Sequence, residues 1–194
     1  MASPRRIYRI YLQLATDAAT VRDFCAAQGE KIPGTVSLLL GGDRAKLLAR
    51  WGEELGELCG VLDGTHDDSY LMEATQTFYW GSLFAASAGT TWEQLAFWPN
   101  RRLARTCGIT TVPELRAAAE RVVALGPERA KPEKLFLLWN VADGLYRDKT
   151  PAEDQWSLEQ LMEADLQDMK KRAYLQPILR LIAEEPDPEQ GRSA

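Results

Sequence analysis

Apolar residues along this chain recur every three or four positions far more often than every second one. That is the spacing of helices that turn one face to a core. The pattern predicts a first helix over about 4–28, followed by Gly29, Pro33 and Gly34 as breakers. A second runs over about 43–63, with Asp43 as N-cap and Gly64 as a stop. A third covers about 69–88, entered through Thr65-His66-Asp67-Asp68-Ser69 and closed by Gly89. Further helices are predicted over about 91–106, 112–125, 132–147 and 155–184. Pro113 and Pro132 sit at helix starts, where proline is tolerated, whereas Pro177 is expected to kink or end the last helix. Runs with β-branched residues are short, the clearest being Gly34-Thr35-Val36-Ser37-Leu38-Leu39-Leu40. The expectation is an all-α bundle of about seven helices in one domain over 1–194, with a fraying tail at 186–194.

Composition narrows the function classes. The 194 residues are 45% hydrophobic, enough for one core. The net charge of −5 and a pI near 5.1 speak against a long nucleic-acid partner. Cys25, Cys59 and Cys107 are scattered and odd in number, which fits reduced thiols in a cytoplasmic protein better than a disulfide framework. Met1-Ala2-Ser3-Pro4-Arg5-Arg6 is not followed by a long apolar run, so neither a signal peptide nor a membrane span is expected.

The candidate chemistry is acidic. Glu53, Glu54 and Glu57 fall on one turn of the second helix, and Glu73 begins the third. Residues three and four apart share a helix face, so an antiparallel hairpin through 64–68 would bring these acids together. Oxygen ligands of this kind suit Mg²⁺. A solvated ladder is the plainer alternative, with Arg50 pairing Glu53 and Glu54. Arg44, Lys46 and Arg50 are candidate phosphate contacts, and Trp80 offers a flat surface for a base. A solvated face and a core stripe explain these residues equally well.

Together the two acidic segments resemble the all-α nucleotide pyrophosphohydrolases: the MazG-type enzymes, the phosphoribosyl-ATP pyrophosphohydrolases and the all-α dUTP hydrolases. Glu53, Glu54 and Glu57 match that superfamily's Glu-Glu-x-x-Glu motif, and Arg50-x-Gly52 is similar to its basic-x-Gly lead-in. Glu73 matches the first acid of the following Glu-x-x-Asp motif. Phe78-Tyr79-Trp80 stands where the phosphoribosyl-ATP enzymes carry a hydrophobic-Tyr-His run. The resemblance covers roughly 43–105. It implies a MazG-like four-helix core and Mg²⁺, with Mn²⁺ as a softer alternative, held by Glu53, Glu54, Glu57, Glu73 and the neutral Gln76. It implies hydrolysis of a nucleoside triphosphate to the monophosphate and pyrophosphate, with Glu54 or Glu57 as proton acceptor. It also implies oligomers, a homodimer among them. The departure is Gln76, which stands where the superfamily has Asp and removes one charge. The alternative is therefore a weakened or inactive nucleotide-binding or regulatory module; a plain helical interaction domain is a third.

The later half, 106–185, reads as a degenerate second copy completing the bundle. Asn140-Val141-Ala142-Asp143 is similar to the second motif with Asn for Glu, and 114–126 is faintly like 53–64. Asp143 is then a candidate ligand making up for Gln76; a helix-end or surface acid is the alternative.

Gly52, Gly56, Gly60 and Gly64 recur every fourth position, at a cost to helix stability of about 1 kcal/mol for each interior one. Close approach of a neighbouring helix, or of a substrate, would account for them. Other signals fail. The 63–74 stretch lacks the Gly and Glu of a calcium loop. Gly41-Gly42-Asp43 lacks the rest of a phosphate-binding loop. His66 reads as a loop residue, and Glu163, Asp165 and Asp168 as one solvated face.

Overall fold

The computed structural model describes residues 2–182, so the expected tail at 186–194 lies outside them. Every regular element among the described residues is helical. The α-helices are α1 (Pro4–Thr16), α2 (Ala18–Ala27), α3 (Gly34–Gly41), α4 (Arg44–Asp63), α5 (Tyr70–Ala86), α6 (Trp92–Leu95), α7 (Phe97–Ala104), α8 (Val112–Ala124), α9 (Pro132–Lys149), α10 (Leu158–Lys170) and α11 (Gln176–Leu181).

The all-α expectation holds, with more segments than expected because three predicted helices are each broken in two. The apolar spacing Ile7, Tyr11, Leu14, Ala18, Val21, Cys25 runs unbroken through Asp17, so the pattern reads as one helix. The chain nevertheless turns at Asp17 (φ −97°, ψ 12°), and α2 packs on α3. The 91–106 stretch breaks at Ala96, whose φ of 48° is left-handed. Asn100 bridges that break, donating to the carbonyls of Leu95 and Glu133 at 3.0 Å each. Pro177 opens α11 rather than ending a longer helix. The 34–40 run forms α3, behind Pro33, because three of its residues are leucines, good helix formers.

The helix starts follow their capping side chains. Asp43 accepts from the Lys46 amide and Ser69 from the Met72 amide. Thr111 with Glu114, and Ser157 with Gln160, close capping boxes.

Four long helices make the centre. The hairpin α4–α5 packs on the hairpin α8–α9: α4 touches α8 and α9, and α5 touches α9. Helices α1 and α10 cover the outer side of α5, and α7 lies along α9. Trp51, Phe78, Phe84, Phe136 and Trp139 are fully buried in the seam. Phe78 meets Phe136 and Trp139 edge-on at 5.4 and 5.5 Å. Trp139 donates its indole N–H to the Ala74 carbonyl at 2.8 Å, tying α9 to α5. No helix among the described residues is long and apolar enough to cross a membrane.

Candidate metal centre

The α4–α5 hairpin turns through 64–69, and its geometry sets the site. Gly64 takes the left-handed conformation (φ 77°) that ends α4. The Gly60 carbonyl accepts from the amides of Thr65 and His66 at 2.8 and 3.2 Å. The loop thereby folds back onto α4, and a Cβ on Gly60 would lie 2.7 Å from that of His66. Only glycine lets the imidazole come so close.

His66 is thus laid against two acids. Donor atoms of Glu57, His66 and Glu73 all lie within 4.8 Å of one another. Glu73, in the first turn of α5, is 0% exposed, and neither carboxylate oxygen has a hydrogen-bond partner. An unpaired buried carboxylate is costly, so the site is short of positive charge. Burial pushes the Glu73 carboxyl up to about 7, helped by Glu57 and Glu54 and opposed by His66. The buried Nε2 of His66 lies 3.8 Å from Glu73 Oε1 and 2.9 Å from Asp68 Oδ2, in hydrogen-bond geometry with neither.

Glu54 borders this group. It is 2% exposed; one oxygen accepts from Arg50, and Oε2 has no partner. Burial raises its pKa, partly offset by Arg50. Arg50 also pairs with Glu53, and its guanidinium sits 5.1 Å from the centre of the Trp80 ring.

The sequence-predicted residues separate into several groups. Glu57 and Glu73 come together, with Glu54 as a neighbour. Glu53 is exposed and held by Arg50, outside the trio. Lys46 is exposed on the first turn of α4. Gln76 also lies outside the trio; it lines a cavity of about 570 Å³ with Tyr11, Tyr79 and Asp165. That cavity corrects the reading of Asp165 as part of a solvated face: both its oxygens accept from the Tyr11 hydroxyl, at 2.8 and 2.9 Å. Asp143 is buried on α9 with partners of its own: Arg101 at 2.8 Å, Arg147 at 3.0 Å and the Tyr70 hydroxyl at 2.9 Å. Those bonds occupy both its oxygens, and it stands outside the trio.

His66 is the residue that sequence reading missed. The signal lay in the glycines: Gly60 and Gly64 are the positions that bend the loop back. The rest of the stripe faces α8 and lines a cavity of about 530 Å³ with Arg116 and Val123. A Cβ at Gly52 would meet Val123 of α8 at 2.6 Å, and Arg116 donates to the Gly56 carbonyl at 3.1 Å.

Comparison with family models, curated proteins and solved structures returns no match. The site therefore stands on its own chemistry: two carboxylates and an imidazole that could hold a metal ion.

Proposed function

We propose that this protein is a metal-dependent nucleoside triphosphate pyrophosphohydrolase that releases a nucleoside monophosphate and pyrophosphate. The observation that carries the metal is the buried, unpartnered carboxylate of Glu73 beside Glu57 and His66. The nucleotide rests on the resemblance of Glu53, Glu54, Glu57 and Glu73 to the pyrophosphohydrolase motifs.

Glu57, His66 and Glu73 would hold the ion. One imidazole among carboxylates suits a first-row transition ion such as Mn²⁺ better than Mg²⁺, which prefers oxygen ligands and water. When bound, the ion would polarise the phosphoanhydride and neutralise charge developing on its oxygens. Glu54, at the edge of the group, would accept a proton through Oε2, with its other oxygen bonded to Arg50. Lys46 and Arg50 would supply positive charge on α4 for phosphate oxygens, and Trp80, whose ring already carries the Arg50 guanidinium, a flat surface for a base. Localisation in the cytoplasm and assembly as a homodimer belong to the same proposal.

A second reading, a nucleotide-binding module without turnover, is favoured by the position of Gln76 in a separate cavity. Pyrophosphate release from a panel of ribo- and deoxyribonucleoside triphosphates, with Mn²⁺ or Mg²⁺, decides between them. Release that Glu73→Gln abolishes supports the enzyme. Metal and nucleotide binding without release supports the module. No metal binding at all sinks both.

A further inference from the structure

A second polar site lies between α7 and α9. A cavity of about 440 Å³ opens there, with Arg101 and Arg105 on one wall and Asp143, Arg147 and Asp148 on the other. Three guanidiniums and two carboxylates thus line it. Asp143, 1% exposed, fixes two of the three. Every nitrogen of Arg147 has a partner: Nε and Nη2 donate to Asp143, Nη2 also to the Trp156 carbonyl, and Nη1 to the Gln155 side chain. Arg101, its side chain 17% exposed, bonds only through Nη1, to Asp143 and Asn140. Its Nε and Nη2 have no partner among the described residues. Arg105, one turn further on as the C-cap of α7 and still in helical conformation, makes no side-chain hydrogen bond or ion pair among the described residues.

These donors have the makings of an anion site. Arg101 is held in place by a buried carboxylate and an amide, so little of its freedom remains to be lost on binding. Arginines four apart on a helix point to the same side, where a tetrahedral oxyanion can accept from both. The cavity is partly walled, which strengthens each charged hydrogen bond relative to open water.

We propose that this cavity binds a phosphate group through Arg101 and Arg105 without a metal ion. The ligand is inorganic phosphate or the phosphate of a monoester. Asp143 is a positioning residue that holds Arg101 for it. The site stands apart from the Glu57, His66 and Glu73 centre and does not depend on that centre being catalytic.

Calorimetric titration of the full chain with inorganic phosphate, and separately with AMP, in EDTA at low ionic strength tests this. The expected result is saturable one-site binding in about the millimolar range or tighter. Arg105→Gln is expected to weaken it by about tenfold, the worth of a charge-assisted hydrogen bond. Arg105 is exposed, and an unchanged melting temperature for this variant would show that the fold is intact. Equal affinity for both probes identifies the free ion's chemistry as sufficient; tighter AMP binding that Arg105→Gln weakens assigns the site to a monoester. The proposal is overturned if neither probe binds saturably, if Arg105→Gln binds as well as the parent, or if binding appears only when Mn²⁺ replaces EDTA.

Discussion

Glu73 is the most consequential single residue. Its folded pKa of about 7 lies above the 4.5 of an ordinary glutamate. A carboxyl raised in this way holds its proton more tightly when folded than when unfolded. Its contribution to stability is therefore complete below about pH 4.5 and is lost as pH rises through about 7. Asp165, raised to about 7 by burial, acts in the same direction. Metal-free protein is thus expected to lose stability between pH 5 and 8, and Glu73→Gln to flatten part of that slope; denaturant titrations at several pH values check it. A variant whose profile matches the parent's would show that Glu73 ionises freely. His66 offers a separate test. His66→Ala should raise the Kd for Mn²⁺ by about tenfold or more and change Mg²⁺ binding less, measured by calorimetry. Equal losses for both ions would remove the imidazole from the ligand set.

At the scale of elements, the glycines of α4 divide into two roles that mutation can separate. Gly60 admits the returning loop, whereas Gly52 admits α8. Gly60→Ala would force His66 aside and should lower metal affinity without touching a ligand. Gly52→Ala would overpack the α4–α8 contact and leave metal binding intact. Each is expected to destabilise by about 1–3 kcal/mol, offset by about 1 kcal/mol of helix propensity. Thermal melts with and without Mn²⁺ would tell them apart, and a Gly60→Ala protein with parental metal affinity would refute the loop's role. The same scale explains why sequence reading merged helices. Apolar spacing reports which face is buried, not where the axis turns. At Asp17 and Ala96 the axis turns while the buried face continues.

At the scale of the molecule, Asp143 is a keystone rather than a ligand. It binds Tyr70 of α5, Arg101 of α7 and Arg147 of α9 within the core. Tyr70 also stacks on Tyr146, with ring centres 3.5 Å apart, so this one cluster joins the two hairpins. Asp143→Ala leaves two guanidiniums half-buried without their acid and should cost about 3–5 kcal/mol of global stability. Equilibrium unfolding measures this, and a loss under 1 kcal/mol would mean that water replaces the carboxylate at little cost. Metal affinity at Glu57, His66 and Glu73 should survive the change if the protein is still folded.

The sequence by itself determined the all-helical class, the boundaries at Asp43, Gly64, Ser69 and Gly89, and the nearness of Glu57 to Glu73. These follow from capping chemistry and from residues three or four apart on helices joined by a short loop, all of which are local. Only the tertiary structure decided which acids share a site. Glu53 and Glu54 are neighbours in sequence, yet one faces solvent and the other the core. Gln76 and Asp143, expected from their spacing to be ligands, point into other surroundings. His66 joined the site through a backbone reversal that carries no hydrophobic signature. Burial and partnership arise from how helices pack on one another, and one chain's periodicity does not encode which carboxylate will meet an arginine and which will be left without one.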